Sequence, residues 1–168
     1  MSLEIRDADL ADPTDASAIV EIVNAYALDP FGGEAALPRD VQARLVDGLR
    51  AHPTTLVLLA IVDGRPVGVA VCFFGFSTFR ARPLLNVHDL AVLSSHRGQG
   101  IGRALLAAVE ARARARGCCK ITLEVLENNT RARSLYASCG ILDVGGAGAA
   151  STRFLAKPLT STPENHAC

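Results

Sequence analysis

The sequence predicts a single α/β (α+β) domain, and three features of the 168-residue chain support this prediction. The length fits one domain. Two strand-like segments, TLVLLAIV and VGVAVCFF, flank Asp63-Gly64, a pair typical of a hairpin turn. Between residues 84 and 126 the order is strand, glycine-rich loop, helix and strand, which describes a βαβ unit with parallel strands and a right-handed crossover. The predicted sheet therefore combines antiparallel and parallel pairs.

The composition indicates an ordinary globular protein and argues against several classes. Hydrophobic residues make up 49% of the chain, charged residues 20%, and the formal net charge is zero. A nucleic-acid-binding protein should show a basic excess, and a membrane span needs roughly 20 consecutive apolar residues. The acidic N-terminus lacks the layout of a signal peptide. We therefore expect a cytoplasmic protein without nucleic-acid or membrane partners.

The cysteines and histidines do not form a metal-ligand pattern. The five cysteines are odd in number and include no C-x-x-C spacing, and the four histidines are scattered. Neither a disulfide framework nor a zinc site is indicated. We expect reduced thiols and no metal.

The N-terminal part of the chain predicts two helices. Asp15 is expected to cap the first, in which apolar residues from Ile19 to Tyr26 recur at helical spacing. The breaker-rich segment DPFGGEAALP follows. A second helix is predicted from about Asp40 to His52, because Pro53 ends it.

The C-terminal half alternates strands and helices. LLNVHDLAVL (84–93) is apolar on both faces apart from three polar residues, which is typical of a central strand. A helix follows the glycine loop and ends at Gly117, and a second helix runs from about Thr130 to Cys139. A last short strand is predicted at 152–159. One domain therefore covers residues 1–159, and residues 160–168 form a polar tail predicted to be disordered.

The segment HRGQGIGRALL, His96 to Leu106, is the most informative motif. Glycines before a helix N-terminus leave N–H groups free to bind an anion, and phosphate suits such a site best. The dinucleotide fingerprint fails because Arg103 stands at its third glycine, and no Walker loop is present. What remains is Arg97-x-x-Gly100-x-Gly102, a pattern that grips the pyrophosphate of coenzyme A. A glycine-rich turn without a ligand is the alternative.

Three segments together resemble the GNAT (GCN5-related N-acetyltransferase) superfamily: VHDLAVLSSHRGQGIGRALL, GCCKITLEV and NNTRARSLYASCG. The resemblance is closest in character to the diamine acetyltransferase-like branch. It implies a mixed, mostly antiparallel central sheet flanked by helices, in which two parallel central strands splay apart. Here those strands would be 84–93 and 120–126.

The resemblance also implies a binding site for acetyl-CoA as acyl donor. Strand residues Leu90, Ala91 and Val92 would contact the pantetheine arm. The pyrophosphate would lie on the loop, which comprises Arg97, Gly98, Gln99, Gly100, Ile101, Gly102 and Arg103. Asn129 would either hydrogen-bond acetyl-CoA or only cap the helix that starts at Thr130.

Two residues are candidates for catalysis. Tyr136 is the candidate general acid, since its phenol can donate to a sulfur leaving group, although a tyrosine in an amphipathic helix can simply pack. His88 is the candidate base, directly or through water, and a structural histidine is the alternative. Asp89 is expected to point to the opposite face, because side chains alternate along a strand. It could orient a neighbour or bind a cationic substrate, and a structural hydrogen bond is the alternative.

The predicted function is acetyl-CoA-dependent N-acetylation of a primary amine, expected to be a small molecule, by direct transfer in a ternary complex. One alternative acceptor is a protein N-terminus or lysine. An alternative from another class is an acyl-CoA-binding module without turnover. The family resemblance also allows a homodimer.

Overall fold

The structure is a computed structural model and describes residues 2–142. The helices and strands follow the order β1 (Leu3–Asp7), α1 (Pro13–Ala27), α2 (Arg39–Ala51), β2 (Thr55–Val62), β3 (Arg65–Ser77), β4 (Arg82–Val92), a 3-10 turn (Ser94–His96), α3 (Ile101–Ala115), β5 (Ile121–Leu123) and α4 (Thr130–Ser138). The strand predicted at 152–159 and the tail at 160–168 lie outside the described residues.

The five strands form one mixed sheet in the order β1-β2-β3-β4-β5. The first three pairs are antiparallel, and β4 pairs with β5 in parallel. Helix α3 packs on one face, where Leu105 and Val109 are fully buried. Helices α1 and α2 cover the other face, where Ile19 is fully buried and Leu49 nearly so. The predicted architecture, a mostly antiparallel mixed sheet flanked by helices, is confirmed.

Local sequence determines the hairpin between β2 and β3. Asp63 and Gly64 both adopt positive φ, 47° and 79°. Two consecutive positive φ values produce the turn whose twist matches the flanking strands, and Asp-Gly is a preferred pair for it. The predicted hairpin is therefore confirmed.

The start of α1 differs from the prediction. Asp12 caps the helix, since its side chain accepts a hydrogen bond from the Thr14 N–H at 3.1 Å. Asp15 is instead buried and bound by Arg6 through two hydrogen bonds of 2.6 and 2.7 Å. The prediction that Asp15 caps α1 was wrong, because its partner lies on β1, an edge strand that the sequence patterns did not identify.

The parallel pair separates after a short contact. Only three residues of each strand pair, from Leu85↔Ile121 to Val87↔Leu123. Strand β4 continues to Val92, and within residues 2–142 its last five residues have no partner on the β5 side. The predicted splay is present, although β5 is shorter than the predicted 120–126.

A β-bulge interrupts β4 where it leaves β5. Asp89 pairs with Val71, but Val87 pairs with Cys72, so His88 is an extra residue. Both bulge residues face α1 and α2: the His88 ring lies 5.7 Å from that of Phe73, and Asp89 pairs with Val71, and both of these β3 residues belong to the core on that face. The expectation that His88 and Asp89 point to opposite faces was wrong, because a bulge breaks the alternation of side chains.

Candidate active site

A cleft of about 590 Å³ opens where β4 and β5 separate. Its walls come from the end of α1 and the loop after it, the last residues of β4, the glycine loop with the start of α3, and α4. Most of the site residues predicted from sequence line this one cleft: Leu90, Ala91, Val92, Arg97, Gly98, Gly100, Ile101, Gly102, Arg103, Asn129 and Tyr136. Gln99 and His88 do not line it.

The glycine loop has the geometry of an anion site. Gly98 and Gly100 adopt φ of 80° and 82°, a region that side chains disfavour. A Cβ at either position would meet no heavy atom within 4 Å, so the space beside both glycines is open. Gly100 precedes the first residue of α3, and no side chain caps the helix. The N–H groups of the first helical turn therefore remain available to an anionic ligand.

At Gly102, the third glycine of the motif, a side chain is excluded by the packing of a neighbouring helix. A Cβ on Gly102 would lie 3.0 Å from Leu135 Cδ2. Gly102 thus allows α3 and α4 to approach closely. This contact positions α4, and with it Tyr136, against the glycine loop.

The end of β4 presents backbone groups to the cleft. Leu90 and Val92 pack toward α3, and Ala91 packs toward α1. Because β5 does not extend this far, the backbone N–H and C=O groups on that edge of β4 have no strand partner within the described residues, and of the carbonyls there that of Val92 accepts a hydrogen bond from Arg97 Nε. Unpaired backbone groups need another partner, and an extended ligand chain can supply it.

Two polar side chains of the glycine loop are held by the protein itself. Arg103 donates to the carbonyl of Ser138 at 3.1 Å and to its hydroxyl at 2.8 Å, which ties α3 to the last turn of α4. Gln99 is exposed, and its amide donates to the Ser95 carbonyl at 3.4 Å. Its backbone can still belong to the loop, but its side chain points away from the cleft lining.

Asn129 caps α4. Its side-chain oxygen accepts a hydrogen bond from the Ala132 N–H at 3.1 Å. The residue also lines the cleft. Asn129 therefore does cap α4, as one of its two predicted roles required, and a hydrogen bond from its amide to a ligand stays a prediction.

Two tyrosines lie in the cleft, and they are the only tyrosines in the chain. Burial, with a smaller contribution from Tyr26, raises the pKa of Tyr136 to about 12. Burial and the charges of Asp89 and Asp29 also raise the pKa of Tyr26. The Tyr26 hydroxyl donates to the Phe31 carbonyl at 3.3 Å. Both phenols are therefore protonated at neutral pH and can donate hydrogen bonds.

The bulge residues are not part of the cleft lining. The His88 side chain is exposed, and its ring packs edge-on against Phe73. Asp89 is half-buried, and burial raises the pKa of its carboxyl although His88 opposes this effect. The charge of Asp89 also contributes to the raised pKa of Tyr26. Asp89 directly precedes the cleft-lining residue Leu90, although neither Asp89 nor His88 itself lines the cleft.

Sequence reasoning missed one wall of the cleft. The end of α1 and the loop after it contribute Tyr26, Asp29, Pro30 and Phe31, and Arg131 adds a cation from α4. The segment DPFGG was identified as a loop, but no motif connects it to the glycine loop, which lies far away in sequence. Contacts of this kind depend on the tertiary fold.

Comparison with known proteins agrees with this geometry. The model of the Acetyltransferase (GNAT) family matches residues 19–141. Thialysine N-epsilon-acetyltransferase of Bos taurus is 36% identical over 111 residues, covering 61% of this chain and 65% of the relative, so the chain matches slightly less than two thirds of that protein's length. The uncharacterized N-acetyltransferase YhfO of Bacillus subtilis is 30% identical over 130 residues, covering 77% of the chain and 85% of the relative.

Solved structures show the same fold at low identity. An integron cassette protein from the mobile metagenome of V. cholerae superposes with a TM-score of 0.75 at 23% identity, with 93% of this chain and 94% of that chain covered. An aminoglycoside acetyltransferase from an uncultured soil metagenomic sample gives a TM-score of 0.74 at 19% identity, with 95% and 100% covered.

The chain belongs to the GNAT acetyltransferase family. The resemblance inferred from the three sequence segments is confirmed, and family membership predicts an N-acetyltransferase. Within residues 2–142, no helix has both the length and the apolar character needed to cross a membrane. No cluster of potential metal ligands occurs in the same part of the chain.

Proposed function

We propose that this protein is an N-acetyltransferase that transfers the acetyl group of acetyl-CoA directly to a small primary amine. One observation carries the proposal: an open anion-binding loop, an unpaired strand edge and a protonated phenol line a single cleft. The acyl donor carries phosphates, an amide-containing arm and a thioester, and these three groups match the three surfaces in that order.

The chain's own groups fit the donor. The N–H groups at Gly98 to Gly102 would hold its pyrophosphate, since the helix dipole and the open glycines favour an anion there. The edge of β4 at Leu90 to Val92 would pair with the pantetheine amides. A backbone N–H near Leu90 would stabilise the negative charge that develops on the carbonyl oxygen during transfer.

Tyr136 would act on the leaving sulfur. A thiol has a reference pKa of about 8.5, so complete transfer of a proton from a phenol with a pKa of about 12 is uphill. The difference corresponds to about 5 kcal/mol. We therefore assign Tyr136 a hydrogen bond to the developing thiolate. Its proton passes to sulfur only as the acetylated nitrogen releases a proton, and that released proton restores the phenol.

The amine must lose a proton before or during attack. His88 and Asp89 are the competing bases, acting directly or through water. Asp89 has the stronger support, because it adjoins the cleft-lining residue Leu90 on β4 and its raised pKa makes it a better base than an ordinary carboxylate. His88 stays a candidate because a water could connect its exposed ring to the cleft.

A small amine acceptor is supported by the relative named thialysine N-epsilon-acetyltransferase, because that name describes acetylation of the epsilon nitrogen of a small molecule, thialysine. Initial rates of thiol release from acetyl-CoA should be compared for a panel of small primary amines, lysine-containing peptides and peptides with free N-termini. We expect turnover with at least one small amine and a much lower kcat/KM with peptides. Faster turnover of peptides than of small amines would show that the acceptor is a protein. Coenzyme A binding without thiol release would indicate a binding module.

A further inference from the structure

The loop after α1 has a shape fixed by its own backbone. The Asp29 N–H donates to the Tyr26 carbonyl at 2.9 Å, and the Gly32 N–H donates to the Asp29 carbonyl at 2.8 Å. A Cβ on Gly32 would lie 1.8 Å from the Tyr26 carbonyl oxygen, so only glycine fits. The loop therefore folds tightly over the end of α1 and presents Asp29, Pro30 and Phe31 to the cleft.

Asp29 connects this loop to the glycine loop, 68 residues away in sequence. Its Oδ1 accepts a hydrogen bond from the Phe31 N–H at 3.1 Å, and its Oδ2 accepts one from Arg97 Nη1 at 2.7 Å. The Asp29 side chain is 15% exposed and that of Arg97 29%. Burial acts to raise the pKa of Asp29, but the hydrogen bonds from Phe31 and Arg97 outweigh it and lower the pKa. The carboxylate is thus ionised at neutral pH.

Arg97 is anchored to the protein through two of its three guanidinium nitrogens. Its Nε donates to the Val92 carbonyl at 2.9 Å, so the guanidinium joins the end of β4, the glycine loop and the loop of Asp29. This geometry explains why an arginine begins the motif. The side chain braces the turn from inside, while the N–H groups at Gly98 and beyond face the open cleft.

We propose that Asp29 is a positioning residue that couples the two halves of the site through Arg97. The two halves are the glycine loop, which would hold the donor, and the loop from Asp29 to Phe31, which lines the same cleft and which we assign to the amine acceptor. The inference rests on the proposed function, because it assigns the donor to the glycine loop. Occupation of the glycine loop fixes the turn at Arg97 and strengthens the ion pair with Asp29, so the acceptor loop is held more firmly against the glycine loop. By reciprocity, a firmly held acceptor loop tightens donor binding.

The partners of the Arg97 guanidinium predict that Asp29 strengthens donor binding and does not weaken it. Because Arg97 points to Asp29 and Val92, removing the charge of Asp29 should loosen the turn that presents the N–H groups. The opposite sign would hold if Asp29 mainly repelled phosphate or kept Arg97 away from it. Asp29→Asn would then bind coenzyme A more tightly than the wild-type protein.

Asp29→Asn keeps the size of the side chain and removes its charge. Calorimetry should show that coenzyme A binds about fivefold more weakly, at the low end of typical coupling between sites. The KM for the amine should rise by a similar factor while kcat changes less. The matched control is Asp47→Asn, because Asp47 pairs with Arg50 on α2 and does not line the cleft. The control should leave all three quantities unchanged.

Hydrogen exchange with coenzyme A as the probe separates this inference from the proposed function. In the wild-type protein, coenzyme A should protect the backbone amides of 97–103 and also those of 29–37. In Asp29→Asn, protection of 97–103 should persist and protection of 29–37 should be lost. Protection of both segments in the variant, or tighter binding of coenzyme A, would overturn the coupling. A wild-type protein without protection at 97–103 would instead overturn the placement of the donor.

Discussion

Gly100 and Gly64 provide a matched pair of substitutions that tests the anion site. Both have φ near +80°, and a Cβ at either would meet nothing within 4 Å. Alanine at either position should cost about 1–2 kcal/mol of stability, because the left-handed region strains any residue with a Cβ. For a chain of this size, that corresponds to a fall in Tm of about 2–8 °C. The two variants should therefore be destabilised to a similar extent.

Only Gly100→Ala should also lose donor binding, because Gly64 lies in the β2–β3 turn and Gly100 faces the cleft. A Cβ at Gly100 would occupy the space that a phosphate needs in order to reach the loop N–H groups. A hydrogen bond to a charged group contributes about 1.5–3 kcal/mol, so the loss of one should weaken coenzyme A binding about 10- to 150-fold.

Calorimetry with coenzyme A and thermal unfolding by circular dichroism measure the two effects separately. The reasoning predicts similar Tm values for the two variants and a large change in Kd for Gly100→Ala alone. If Gly100→Ala kept its Kd within about twofold while its Tm fell, the loop would be a strained turn and not the pyrophosphate site. An equal loss of affinity in Gly64→Ala would show that strain alone explains the effect.

Further predictions concern the titratable groups. Tyr136→Phe should lower kcat about 10²–10⁴-fold with little change in coenzyme A affinity; near-normal kcat would make Tyr136 a packing residue. If Asp89 is the base, kcat/KM should rise with pH through the raised pKa of its carboxyl. Asp89→Asn should then abolish this rise in kcat/KM, and His88→Ala should retain it. Loss of the rise in His88→Ala but not in Asp89→Asn would assign the base to His88. Absorbance at 295 nm should show both phenols ionising above pH 10, one near pH 12, and Tyr136→Phe should abolish the later step. Titration of either phenol at the ordinary pH would contradict its burial in the cleft.

Features that depend on local sequence were predictable. The hairpin at Asp63-Gly64 follows from residues that tolerate positive φ, and the glycine loop follows from its spacing ahead of an amphipathic helix. Family resemblance placed Tyr136 and the end of β4 at the same site. Each of these predictions relies on neighbours within a few residues or on a motif that was already known.

Features that depend on distant contacts were not predictable. Edge strand β1 contains five residues, too few for a clear pattern. Because the strand was not identified, its residue Arg6 could not be recognised as the partner of Asp15. The bulge at His88 breaks the alternation that sequence reasoning assumes. The ion pair between Asp29 and Arg97 joins segments that no motif relates. In each case the tertiary fold, and not local preference, brings the groups together.

The most direct test of the central claim follows an isotopically labelled acetyl group from acetyl-CoA to an amine. The purified protein is incubated with the labelled donor and the best small amine of the panel, and mass spectrometry quantifies labelled N-acetyl product alongside released thiol. The account predicts equal amounts of both, and loss of both in Gly100→Ala at low donor concentration. Thiol release without labelled amide would mean hydrolysis of the donor, and binding without release of thiol would mean that the cleft holds coenzyme A without transferring an acetyl group.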